Sequence, residues 1–170
     1  LKGSEFDKWE TSKHTKVVIF PYQIDRTGNT AHVDLIGETT LLSEYPETFA
    51  YLKQNKEGLL DRADVDPDRW WHYPYPKNLT QFKHEKIMTS VLNEESKFSL
   101  DRKNNYVFVG GGNAGGYGLR LPAKSDISHK YLLAILNSRL LEWIVQNTSS
   151  QFRGGYYSYG KKYIEGLPVT

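Results

Sequence analysis

The chain contains no cysteine. Disulfides and thiolate metal sites are therefore excluded. No run of about 18 apolar residues occurs, so no segment reads as a membrane-spanning helix. The first residues, Leu1-Lys2-Gly3-Ser4-Glu5-Phe6, carry no apolar signal-peptide core,. These features lead us to expect a cytoplasmic protein. Excess charge of one sign is also missing: 22 basic residues stand against 20 acidic, a net +2. A nonspecific coat for nucleic acid would be far more basic. Any argument for nucleic-acid binding must rest on local clustering.

Large apolar groups are abundant. Aromatics make up 14% of the 170 residues, with 12 Tyr and 4 Trp. That is enough to build a packed core, and the length suits one domain spanning residues 1–170. Residues 16–22 read Lys-Val-Val-Ile-Phe-Pro-Tyr, a strand signal ended by Pro21,. A turn at Thr27-Gly28-Asn29 leads into a second alternating strand at 30–36,. Pro46 suits the first turn of a helix, and Phe49, Leu52, Leu59 and Leu60 continue a helical spacing to about Asp61,. Residues 62–84 look irregular. Strands are expected at 85–92, 105–109 and 117–121. Residues 130–146 form the clearest helix, with an apolar stripe of Leu132, Ile135, Leu136, Leu140, Trp143 and Ile144,. This pattern predicts an α+β fold with a mixed or antiparallel sheet and packed helices.

Several motifs invite a chemical reading. Gly110-Gly111-Gly112-Asn113-Ala114-Gly115 matches the dinucleotide fingerprint literally. That fingerprint needs a following helix whose N-terminus holds the anion. Here Gly116-Tyr117-Gly118-Leu119-Arg120-Leu121-Pro122 follows, which is strand-like, so a glycine-rich hairpin or bulged loop is the simpler reading,. Close approach to a DNA phosphate is a third possibility. Phe20-Pro21-Tyr22 and Tyr73-Pro74-Tyr75 lack the Asx and second Pro of the amino-methylating motif. The histidines His14, His32, His72, His84 and His129 show no ligand spacing,. Glu85-Lys86 after His84 is too common a pair to mark a metal nuclease. No Ser/His/Asp elbow is visible.

The stretch from Gln151 to Tyr163 is different. It reads Gln-Phe-Arg-Gly-Gly-Tyr-Tyr-Ser-Tyr-Gly-Lys-Lys-Tyr, three cations among four tyrosines with no acid. Lys161 and Lys162 suit phosphates, whereas Arg153 between Phe152 and two glycines suits a base edge or a phosphate. Tyr156 and Tyr157 suit support of the turn or stacking. The plain alternative is tyrosines packed on the preceding helix and lysines facing water. Arg69-Trp70-Trp71-His72 is a second candidate, although paired Trp in a loop more often pins that loop to a core.

Taken in order, these pieces resemble the TaqI-like C-terminal specificity domain of type II restriction-modification enzymes and adenine-specific DNA methyltransferases. Tyr131-Leu132-Leu133-Ala134-Ile135-Leu136-Asn137-Ser138, then Arg153-Gly154-Gly155-Tyr156-Tyr157-Ser158-Tyr159, then Ile164-Glu165-Gly166-Leu167-Pro168-Val169 carry the resemblance. Upstream, Leu1-Lys2-Gly3, Val18-Ile19-Phe20-Pro21-Tyr22, Tyr45-Pro46, Tyr51-Leu52-Lys53, Leu59-Leu60-Asp61-Arg62, the Trp70-Trp71 pair and Lys86-Ile87 follow in the same order. The run Gly110-Gly111-Gly112 is not part of that pattern.

The resemblance implies a DNA methylase specificity fold and double-stranded DNA as partner. It also implies a parent that methylates adenine N6 with S-adenosylmethionine, with magnesium and cleavage as possible additions. The chain would then be a C-terminal piece working beside an upstream methyltransferase or nuclease domain of the same polypeptide, without a catalytic centre or cofactor of its own. On this reading the DNA-contacting residues are Arg153, Gly154, Gly155, Tyr156, Tyr157, Lys161 and Lys162, with Arg69 and Arg120 next. Two other readings compete: a small nucleotide-binding enzyme or nuclease, and a carbohydrate- or protein-binding module using its aromatic loops.

Overall fold

The computed structural model describes residues 7–11, 16–28, 30–81, 84–103, 106–108 and 115–169. Leu1-Lys2-Gly3 and the glycine run 110–112 lie outside these residues. The chain forms two compact units, one of Leu1–His14 with Phe82–Thr170 and one of Thr15–Gln81. Among the described residues no helix is long and apolar enough to cross a membrane.

The Thr15–Gln81 unit starts from a hairpin. Strands β2 (Tyr22–Thr27) and β3 (Thr30–Leu35) pair antiparallel, from Tyr22↔Leu35 to Thr27↔Thr30. The expected strand at 16–22 is corrected here. Only Tyr22 belongs to one, because the pairing ends there and Val17 is exposed without a ladder. Three short helices follow, α1 (Glu38–Glu44), α2 (Pro46–Gln54) and α3 (Lys56–Leu60). Sequence spacing predicts one helix from Pro46 to about Asp61; α1 is additional. Tyr45 sits between α1 and α2 at φ −133°, ψ 53°. The α region is closed to a residue that precedes proline, so the break is local chemistry. Leu41, Phe49, Leu52, Trp70 and Trp71 form this unit's core.

The stretch expected to be irregular, 62–84, contains two short 3-10 turns among its described residues, Pro67–Arg69 and Leu79–Gln81, and its first part is well held. The Arg62 guanidinium donates to the carbonyls of Leu59 (2.7 Å), Trp70 (2.8 Å) and His72 (3.2 Å). Trp71 donates its indole N–H to Ile36 O at 3.0 Å. The Trp pair thus pins its loop to the core.

The other unit is built on a mixed four-stranded sheet, ordered β1 (Trp9–Glu10), β6 (Phe98–Asp101), β4 (Lys86–Ser90), β7 (Gly116–Leu119). β1 runs parallel to β6, and the other pairings are antiparallel. Every residue of β4 and β6 is buried. The expected strand at 105–109 is not found at its described residues, 106–108. Gly116 explains one feature of the glycine-rich region. A Cβ there would lie 2.4 Å from the Phe108 ring and 2.5 Å from Thr89 O, so only glycine fits. β7 follows this region, which is a strand and not the helix that a dinucleotide site requires,.

The expected single helix at 130–146 is two: α4 (His129–Leu136) and α5 (Arg139–Thr148). Ser128 and Ser138 cap them by accepting from Tyr131 N and Leu141 N,. The interruption shifts the phase of the apolar stripe. Leu133, Leu136, Leu141 and Val145 face the core, while Leu140 and Trp143 are 65% and 61% exposed. Asn137, in the break, uses its amide as a piece of strand. It accepts from Phe98 N at 2.9 Å and donates to Phe98 O at 2.8 Å. Ile87, Phe98, Leu100, Tyr159 and Ile164 complete this core.

Candidate nucleic-acid interface

A short hairpin leaves α5. Its strands are β8 (Gln151–Phe152) and β9 (Tyr156–Ser158), in register Gln151↔Tyr157 and Phe152↔Tyr156. β9 also pairs with β5 (Leu92–Asn93), which follows the Ser90 end of β4. The turn is Arg153-Gly154-Gly155. Gly154 and Gly155 both lie in the left-handed region, at φ 86° and 82°. Space does not demand glycine at either position, since an added Cβ would meet ordinary contact at Gly154 and nothing at Gly155. The backbone conformation does.

The turn divides the segment into an outer and an inner half. Arg153, Gly154, Gly155 and Tyr156 are exposed, Tyr157 is half-buried, and Ser158 and Tyr159 are buried. The Tyr159 ring meets Phe98 edge-on at 5.9 Å, and burial pushes its hydroxyl pKa up to about 12. Tyr156 is raised from its ordinary value because its hydroxyl donates to the Glu94 carboxylate, whose charge also opposes ionisation. At the base, Ser158 N donates to Ser150 O (3.0 Å), and the hydroxyls of Ser150 and Tyr163 lie 2.7 Å apart.

Helix α6 (Lys161–Ile164) follows at once and is anchored by buried Ile164. Lys161 and Lys162 stand exposed on it. Lys161 reaches Glu165 at 3.8 Å, but both side chains are about 70% exposed. Such a pair holds little energy and leaves the ammonium available. The Lys162 ammonium lies 5.3 Å from the Tyr163 ring centre.

The structure therefore gathers Arg153, Gly154, Gly155, Tyr156, Tyr157, Lys161 and Lys162 on one continuous segment. It does not bring Arg120 there. Arg120 follows β7, beside the Lys86 end of β4, while the hairpin belongs to a separate three-stranded sheet, β5-β9-β8, whose β5 follows the Ser90 end of β4. Arg69 belongs to the Thr15–Gln81 unit. It bonds Asp66 at 2.7 Å, and that bond holds the Asp66 carboxyl below its ordinary pKa. Sequence reasoning passes over Phe152, an exposed ring directly across from Tyr156, and Glu94. The first is legible only once the register is known, and the second only from the folded contact.

No group of three or more metal-capable side chains occurs among the described residues. Lys86, within the nuclease-like Glu85-Lys86 pair, is buried against Asp101 at 2.7 Å.

An exposed basic turn on a base packed into the core suits a recognition body, and the comparisons agree with that class. The family model of the TaqI-like C-terminal specificity domain matches residues 22–169, and the chain belongs to this family. Among curated proteins it is similar to the type II restriction enzyme and methyltransferase RM.Eco57I of Escherichia coli. The two are 28% identical over 160 residues, which covers 89% of this chain. The chain spans only 15% of that relative's length.

Proposed function

We propose that the chain reads a DNA target for a type II restriction-modification enzyme, with the 151–163 segment as its contact surface. The observation that carries this is the hairpin tip. Two left-handed glycines turn Arg153 outward from a base whose tyrosines are locked in the core. A guanidinium on a narrow, exposed turn suits a groove, and the two lysines one short step later suit phosphates. Family membership and the relative's printed activities support the same reading.

On this reading both units belong to one recognition domain. Catalysis would sit in the remainder of a longer polypeptide, methylating adenine N6 from S-adenosylmethionine and cutting DNA where magnesium is used. This chain alone would do neither. An enzyme that extracts a base needs a second body to hold the duplex, and such a body needs no reactive groups.

The test is duplex titration at two salt concentrations. Wild-type affinity should sit near the nonspecific range of about 10⁻⁴ to 10⁻⁶ M. K161Q/K162Q should weaken binding to all sequences alike and lower the salt slope by about 1.8. In the full-length enzyme, Arg153→Ala should cost about 1–3 kcal/mol and relax one position of the site. Unchanged binding by all of these variants, with the fold intact, would move the reading surface elsewhere.

A further inference from the structure

We propose that Phe152 and Tyr156 form an aromatic step at the hairpin tip that stacks on an unpaired base of the bound DNA. The proposal rests on the reading of the 151–163 segment as the DNA contact. Strand register sets the step. Phe152 and Tyr156 are directly opposed across β8 and β9, the last pair before the turn. Opposed residues share one face of a hairpin, and the neighbouring pair takes the other. Gln151 and Tyr157 are that neighbouring pair, and Tyr157 packs against the core. Phe152 and Tyr156 therefore share the outer face, and both rings are exposed.

The step is held before any ligand arrives. β9 pairs on its other side with β5, at Leu92↔Ser158 and Asn93↔Tyr157, and the residue after it, Tyr159, is buried. The Tyr156 hydroxyl is tied to Glu94. Its ring lies against the turn, 3.5 Å from where a Cβ on Gly154 would stand. Little ordering is left to oppose binding. The turn itself carries no side chain beyond that of Arg153, so a flat base has room to approach.

Charge decides which part of the DNA meets this face. Glu94 is exposed and bonded to Tyr156, and Glu95 is exposed and 3.6 Å from Lys8. On the neighbouring helices, Glu142 accepts from Ser96 N at 3.0 Å and Glu165 lies 3.8 Å from Lys161. A carboxylate beside the rings repels a phosphate, whereas a base carries no charge. Phosphates fall instead to Lys161 and Lys162. A sugar ligand would use the rings but would leave Arg153 and both lysines without a role. Phe152 has no polar atom to match the donors and acceptors of a groove edge, so its gain comes from a base face. A paired duplex hides those faces. The step therefore meets a base only where stacking is interrupted, as beside an extruded nucleotide.

The experiment measures affinity of the whole chain at low salt for two duplexes of one flanking sequence, fully paired and carrying a single-base bulge. Wild type should prefer the bulged duplex by at least about fivefold, the lower end of what one base stacked on an aromatic ring contributes. F152A/Y156A should bind the two duplexes alike. F152A alone, which leaves the bond to Glu94 in place, should also lose preference and serves if the double variant fails to fold by circular dichroism. F152Y keeps the ring and should keep the preference, as should L140A, which removes an exposed apolar side chain elsewhere. With 2-aminopurine as the bulged base, emission should be quenched by wild type and F152Y but not by F152A. Equal affinity of wild type for both duplexes overturns the proposal. So does a preference that survives in F152A, or one that falls equally in L140A. Those results leave the hairpin cations and the DNA reading standing. Absence of any duplex binding by wild type overturns the DNA reading and the aromatic step with it.

Discussion

Asn137→Ala isolates what a single amide does between α4 and α5. The side chain is 5% exposed and bonds both peptide groups of Phe98, at 2.9 and 2.8 Å. Each such bond contributes about 0.5–1.5 kcal/mol net, and a buried peptide group left without a partner costs about 1–3 kcal/mol. Truncation loses two bonds and strands an N–H and a C=O, although some relaxation will follow. The expected loss is about 2–4 kcal/mol in urea unfolding, together with faster hydrogen exchange at the Phe98 amide. Asn137→Asp sharpens the test. It keeps the acceptor for Phe98 N but turns a carboxylate oxygen toward Phe98 O, so it should be at least as damaging near neutral pH. Acidification should restore part of the loss, because a protonated carboxyl can donate. Asn137→Ala within about 0.5 kcal/mol of wild type, with Phe98 still protected, would show that the amide bridge is incidental.

Two further outcomes follow from burial. Leu136→Ala should cost about 2–5 kcal/mol, since Leu136 is 2% exposed, whereas Leu140→Ala, four residues on, should stay within about 0.5 kcal/mol; thermal melts of the pair check the phase shift at Asn137 directly,. Tyr73 and Tyr159 have hydroxyls raised to about 12 from 10, so the folded state favours their neutral form. That contribution is complete below pH 10 and drains away as pH rises toward 12, so stability should fall across this window, at about 1.4 kcal/mol per unit of difference for each group. Absorbance of tyrosinate during a pH titration should show these groups ionising late, and ionisation of every tyrosine near pH 10 would contradict it.

The class of fold, an α+β chain with a mixed sheet, was legible from periodicity, and so was the Pro46 helix start. Local signals misled where a long-range partner decided the outcome. Val17 and Val18 look like strand residues, yet among the described residues no strand pairs with them. Leu140 and Trp143 continue a helical stripe only if the helix is unbroken. The Leu136-Asn137-Ser138 run held the clue to the break, since serine is a common cap. The demand of Phe98 for two bonds, 39 residues away, could not be seen from the sequence. At the candidate interface, the paired glycines and the cations were visible as letters. That Tyr156 stays outside and Tyr159 is sealed inside depends on the pairing of β9 with β5.

The placement of the four tryptophans gives the chain two spectrally distinct reporters. Trp70 and Trp71, 3% and 6% exposed, are enclosed in the Thr15–Gln81 unit, so their emission should be blue and shielded from iodide. Trp9 and Trp143, 49% and 61% exposed, belong to the other unit and should emit red and quench readily. Unfolding of the Thr15–Gln81 unit would therefore move the spectrum strongly, while unfolding of the sheet unit would move it little. With circular dichroism alongside, unlabelled protein can reveal whether the two units melt together or in turn.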